Sequence, residues 1–253
     1  MYMSMFHLPL SRSMLTLTLT LILMLALGTC LPAHAQPARA APGVLPDSIE
    51  QRVLACTACH ASKERSDAFF PRIGGKPAGY LYNQLINFRT GRRQYPLMTY
   101  MVGHLPDAYL REIAEYFSQQ HPAPAPAQAT GAAKAVLERG RTLVTVGDKS
   151  NNVPACIACH GEQLTGVAPA IPGLLGLPRD YINAQFGAWK NHVRRAHAPD
   201  CMGEIAARLA DADVAAISSW LGMQVAPPGA RPATTISLPL PLQCGSVPQA
   251  SAQ

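Results

Sequence analysis

Cys56-Thr-Ala-Cys-His60 holds two thiols three positions apart with a histidine directly behind the second, and the same pattern returns a hundred residues later as Cys156-Ile-Ala-Cys-His160. Thiols at this spacing add across the two vinyl groups of a haem while the adjoining imidazole reaches the iron, so one pentapeptide supplies a covalent tether and an axial ligand. A thioredoxin-like redox pair does not need the trailing histidine. Zinc sites place their histidines farther from the cysteine knuckle, and a disulfide framework uses varied spacings. The repeated pattern therefore favours haem over all three. It predicts two covalently attached haem c groups, with Cys56, Cys59, Cys156 and Cys159 as attachment points and His60 and His160 as iron ligands.

A chain of 253 residues has room for one large domain or two of roughly 100 residues. The repeat decides for two. Pro71, Gly75, Pro77, Tyr80 and Gln84 match Pro172, Gly176, Pro178, Tyr181 and Gln185 at a displacement of 101, and Met98, Leu105, Asp107, Ile113 and Tyr116 match Met202, Leu209, Asp211, Ile217 and Trp220 at 104. Two copies of one haem-binding domain are the simplest cause. The formal net charge of +6 and pI near 9.0 raise the question of a polyanion partner. The basic residues are scattered, however, and ionised haem propionates, about four negative charges, offset most of the excess. No nucleic-acid partner is expected.

Taken in order, residues 1–35 run from a weakly basic start through an apolar stretch, Met14 to Gly28, to Ala33-His-Ala35. That order marks a secretory signal cleaved before Gln36. An uncleaved anchor is the rival reading, because the apolar run approaches the length that spans a bilayer. Export to the periplasm fits the haem, which in bacteria is attached on the outer side of the inner membrane. Residues 36–47 read as a flexible Ala/Pro-rich lead-in. The first domain, 48–121, is expected to open with Ser48 capping a short helix, Ile49 to Leu54, and to continue through a polar loop from Ala61 to Phe70. A helix follows from Gly79 to about Thr90, an interruption at Tyr95-Pro-Leu-Met98, and a helix from Ala108 to Gln120. Leu110, Ile113, Ala114 and Phe117 share one face of that last helix, expected to pack on the helix ahead of the haem motif. Residues 122–131 form a proline-stiffened linker. The second domain, 132–225, starts with a helix from Ala132 to Val144, in which Gly140 offers a close-approach point, and a loop from Thr145 to Pro154. Residues 226–253 are a Pro-rich tail without helix. The fold class is all-α.

The face of each iron opposite its histidine separates a carrier from a catalyst. Met98 and Met202 are the candidates for it. Met101 competes with Met98 but has no methionine at the matching position of the repeat, and Cys201, beside Met202, competes in the second domain. Pro71 and Pro172 follow their histidines by 11 and 12 residues, where a carbonyl can accept from the second imidazole nitrogen and fix the ring. Tyr80, Gln84, Tyr181 and Gln185 recur at matched positions, so they contact haem, tie the domains together, or simply pack.

On these motifs the chain resembles the class I cytochromes c, and its tandem arrangement is similar to the cytochrome c4 family of periplasmic dihaem electron carriers. The resemblance covers about 48–120 and 132–224. It rests on Cys56, Cys59, His60 and Met98, on Cys156, Cys159, His160 and Met202, and on the two Pro-x-x-x-Gly-x-Pro-x-x-Tyr-x-x-x-Gln stretches. It implies His/Met ligation and a non-enzymatic carrier. Electrons would come from a dehydrogenase or a quinol-oxidising complex and pass to an acceptor such as a terminal oxidase, with peripheral association with the inner membrane left open. Cys201, Cys244 and the short first helix depart from the family pattern. They keep alive a dihaem enzyme of the thiosulfate dehydrogenase kind, with Cys201 on one iron, and a dedicated electron-accepting subunit of a periplasmic dehydrogenase. Once the signal is removed and the haems attached, Cys201 and Cys244 are the remaining cysteines. In an oxidising compartment they are expected to pair, pinning the tail against the methionine loop of the second domain.

Overall fold

Ser48, in extended backbone, accepts on its hydroxyl from the Gln51 amide at 3.5 Å and opens α1, Ile49–Arg52. After Val53 the chain re-enters helix as α2, Leu54–His60, which carries the first pentapeptide. The computed structural model describes residues 47–60, 70–234 and 240–248. The expected signal, nearly all of the lead-in, and residues 61–69 of the polar loop lie outside the described residues. Among those described, no helix is long and apolar enough to cross a membrane.

The first half continues with α3, Ala78–Arg89, α4, Pro96–Val102, and α5, Asp107–Ser118. In the second half come α6, Lys134–Thr145, the short α7, Ile157–His160, with the second pentapeptide, and α8, Arg179–Lys190. It closes with α9, Cys201–Arg208, and α10, Asp211–Gly222. Both ends of α3 and α8 are displaced by 101 residues, and both ends of α5 and α10 by 104, so the repeat is one of structure as well as of sequence. The match extends to the turn after each middle helix. Gly91 leaves α3 at φ 72°, left-handed backbone that glycine enters without strain, and His192 does the same after α8 at φ 59°.

Three local expectations are corrected. Tyr95-Pro-Leu-Met98 does not interrupt a helix but begins one. Pro96 takes the first helical position, where its missing N–H is no loss and its fixed φ is already helical. Met98 therefore rides on a helix of its own, as Met202 does on α9. Thr145 to Pro154, expected as plain loop, contains a hairpin in which β1, Gly147–Asp148, pairs antiparallel with β2, Val153–Pro154, around a 3₁₀ turn, Lys149–Asn151. The Asp148 carboxylate accepts from the Ser150 and Asn151 amides inside that turn and from Arg139 at 2.8 Å. Two-residue strands are too short for a period-2 pattern to register. Finally, α5 packs chiefly on α3. Its contact with α1 is the smaller one, marked by the Arg52–Glu112 ion pair at 3.0 Å and by Tyr109, whose hydroxyl donates to the Arg52 carbonyl.

Each half keeps a core of its own. Leu110, Ile113, Ala114 and Phe117 of α5 are buried with Val53, Leu81, Phe88 and Val102. A fully buried Leu, Ile or Phe contributes about 1.5–3 kcal/mol, so this stripe holds α5 to α3. The second core gathers Leu143 and Val144 of α6, Tyr181, Ile182 and Phe186 of α8, and Val214, Ile217 and Leu221 of α10. Here α6 and α10 cross at Gly140, where an added Cβ would stand 2.2 Å from the Ala216 carbonyl oxygen. Pro46–Gln253 nevertheless form one compact unit. The 122–131 segment is fastened to it: the Ala123 carbonyl accepts from Arg72, and Gln128 donates to the Gly222 and Leu177 carbonyls while accepting from the Arg179 amide.

Candidate haem sites

In the first half, α2 presents Cys56 and Cys59 half-buried and ends on His60. The His60 Nδ1–H donates to the Pro71 carbonyl at 2.9 Å, an assignment the carbonyl fixes because it can only accept. Burial lowers the imidazole pKa, with the carbonyl opposing, which favours the neutral ring, and among the described residues Nε2 has no hydrogen-bond partner. Cys56 and Met98 both pack against the first core. Met101 points outward and is 37% exposed.

The second half repeats the arrangement at greater depth. β3, Gly166–Val167, pairs antiparallel with β4, Ile171–Pro172, and this hairpin brings the Pro172 carbonyl 2.7 Å from His160 Nδ1. Cys156, Cys159, His160 and Met202 line one largely apolar cavity together with Leu174, Leu177, Ile182 and Ile205. Burial pushes the Cys156 thiol up to about 12, the wrong direction for a zinc thiolate or a reactive redox pair and the right surroundings for an apolar thioether. All four motif cysteines are free. Cys201, by contrast, is bonded to Cys244, which places its sulfur in a disulfide rather than on a metal.

The largest feature that sequence reasoning missed is cationic. Arg93 and Arg194 meet where the halves join, linked by a backbone bridge between them. Gln84 Oε1 accepts from Arg93 at 3.0 Å and from Arg194 at 3.3 Å, while Gln185 Oε1 accepts from Arg93 at 2.8 Å and Arg194 at 2.7 Å. Arg93 lies over the Phe88 ring and Arg194 over Trp189, at 4.6 and 3.9 Å from the ring centres, and Arg93 also donates to the Tyr181 hydroxyl. The matched glutamines and tyrosines thus tie the halves together. Arg194 is 7% exposed, and among the described residues neither guanidinium has a carboxylate partner. Lys76, partly buried and driven down to about 8 by desolvation, adds a third cation and donates to the Gly173 carbonyl across the halves. The signal was available, since Arg93 and Arg194 obey the displacement of 101.

Unpaired buried cations are costly, so this cluster calls for anions. Trp189 Nε1, a buried donor without a partner among the described residues, lines the same cavity as Arg194 and Lys76. Paired thiols, an imidazole whose Nε2 has no partner among the described residues, an apolar cavity and a cationic rim fit a covalent haem with two propionates.

No protein-family model matches the chain. It is 38% identical over 172 residues to the thiosulfate dehydrogenase electron acceptor of Thiomonas intermedia (strain K12), covering 67% of this chain and 78% of that one. It is 31% identical over 175 residues to cytochrome c4 of Pseudomonas aeruginosa, covering 68% and 85%. The chain belongs to the cytochrome c4 family. Among solved structures, reduced cytochrome c4 from Pseudomonas stutzeri matches with a TM-score of 0.60 at 28% identity, over 69% of this chain and 95% of that one. The thiosulfate dehydrogenase TsdBA from Marichromatium purpuratum matches with a TM-score of 0.59 at 29% identity, and this cytochrome spans 36% of that chain's length. The cytochrome is accordingly a helical dihaem electron-transfer protein with two covalently attached haems, which supply the one-electron iron couple when bound. The chain's part is to tether, orient and bury them, and to offer redox partners a surface.

Proposed function

We propose that this cytochrome works in the periplasm as a carrier that accepts electrons from a thiosulfate dehydrogenase and delivers them to a respiratory acceptor such as a terminal oxidase. His60 with Met98 and His160 with Met202 would be the iron ligands, Cys56, Cys59, Cys156 and Cys159 the attachment points, and the Pro71 and Pro172 carbonyls the groups that orient the histidines. The observation that carries the non-enzymatic reading is the Cys201–Cys244 disulfide. It withdraws the one thiol outside the motifs that stands beside a ligand position, and with thioethers on both irons no coordination position is left for a substrate. The choice of donor rests on the relatives named as thiosulfate dehydrogenase electron acceptors, at 38% and 35% identity.

The test mixes the oxidised dihaem protein with thiosulfate, with and without thiosulfate dehydrogenase, and follows the ferrous haem absorbance. Rapid reduction only when the dehydrogenase is present is the expected result. Reduction by thiosulfate alone at catalytic rates would mean that this chain is itself an enzyme.

A further inference from the structure

The two methionine helices are equivalent in the repeat but not in what covers them. In the register that matches Met98 with Met202, Leu97, Tyr100 and Met101 on α4 correspond to Cys201, Glu204 and Ile205 on α9. On α9 the tail covers the Cys201 and Ile205 positions, while Glu204 stays exposed and pairs with Arg208. Cys201 is bonded to Cys244, and Ile205 shares its cavity wall with Leu240, Leu242 and Val247. The Gly245 amide donates to the Pro199 carbonyl at 2.9 Å, and Asn83 of α3 donates to the Ser246 carbonyl at 3.0 Å, so the tail is held at both halves. Among the described residues nothing equivalent is seated on α4: Leu97, Tyr100 and Met101 are 48%, 76% and 37% exposed. No charged residue occurs from Tyr95 through Gly103, nor in the tail segment from Leu240 through Pro248.

We propose that the uncovered face of α4, beside Met98, is the docking surface for the electron-donating protein, and that this partner presents an uncharged apolar rim of the kind the tail presents to α9. The inference rests on the carrier reading above. One electron leaves the partner's reduced cofactor and the ferric iron of the first haem becomes ferrous; no bond forms or breaks. A small apolar contact suits release as well as capture, since redox encounters bury little surface, below about 1,200 Å² in total. By covering the Cys201 and Ile205 positions, and with Glu204 placing a charge at the third, the second half offers no such apolar face, so the first half is the side on which electrons enter.

The test uses the dihaem protein on gold electrodes coated with methyl-terminated or carboxylate-terminated alkanethiol monolayers. Wild type should give a wave for adsorbed protein on the methyl surface. Leu97→Asp/Tyr100→Asp should lose about ten-fold of it, the loss expected when about 1.4 kcal/mol of contact is removed. Tyr100→Asp alone, at the more exposed position, should lose part. On the carboxylate surface all should match wild type, and Gln243→Asp in the tail should keep the methyl response. The double variant should also slow reduction by thiosulfate dehydrogenase about ten-fold while leaving reduction by ascorbate unchanged. An undiminished methyl response overturns the proposal. So does wild type that sediments as a dimer and becomes monomeric on Leu97→Asp, because the face then belongs to a second copy. Failure of the dehydrogenase to reduce wild type refutes the choice of donor, and the electrode result still decides the face.

Discussion

A thioether opposite histidine favours ferrous iron and raises its potential, so the choice among four sulfur-bearing candidates sets what each haem can do. Met98 packs on the first core and Met202 lines the second cavity, whereas Met101 is exposed and Cys201 is committed to Cys244. Met98→Ala and Met202→Ala should each remove part of the methionine-to-iron charge-transfer band of the oxidised spectrum, and Met101→Ala should remove none. A band that survives Met98→Ala but falls with Met101→Ala would reverse the assignment. The two pentapeptides and the Pro71 and Pro172 carbonyls were legible because bond chemistry fixes their spacing: thiols three apart, the histidine next, the carbonyl where the chain returns. Arg93 and Arg194 were not, since a guanidinium gains its role only when the halves meet, and hydropathy registers it as ordinary surface.

Among the elements, the crossing of α6 and α10 depends on a missing side chain. Gly140→Ala sets a methyl against the Ala216 carbonyl oxygen at 2.2 Å, and neither backbone can yield alone. The helix gains in propensity, but overpacking of this kind costs about 1–3 kcal/mol and wins. Thermal unfolding followed by circular dichroism should therefore shift downward, and an unchanged or raised midpoint would mean that the helices slide apart at no cost. Gly140 was visible in the sequence as a close-approach point because a glycine inside an otherwise good helix asks for a reason. The α4 helix was misread because Pro96 was taken for a breaker when it is a starter. The hairpin around Lys149–Asn151 escaped because its determinant is the carboxylate of Asp148 folding back on its own turn, which has no periodicity.

Across the whole molecule, the join between the halves is a polar one. Gln84, Gln185 and Tyr181 all accept from Arg93, so Arg93→Leu leaves the buried Tyr181 hydroxyl without this donor and leaves both glutamines to Arg194 alone. Leaving buried acceptors unmet costs about 1–3 kcal/mol, and the loss falls on the contact between the halves rather than on either core. Calorimetry of the dihaem protein should show one cooperative transition in wild type and two separated ones in Arg93→Leu. A single transition in the variant would mean that the cores, the tail and the linker suffice to couple them. The sequence divided the chain into two repeats and read residues 122–131 as a proline-stiffened linker, because alternating prolines signal extension and say nothing about attachment. Bonded to Arg72 at one end and to Leu177, Arg179 and Gly222 at the other, that segment behaves as a splint. With a haem on each half, electron exchange between them would need no diffusive search by one half for the other, and thickening the solvent with glycerol would leave its rate where it was.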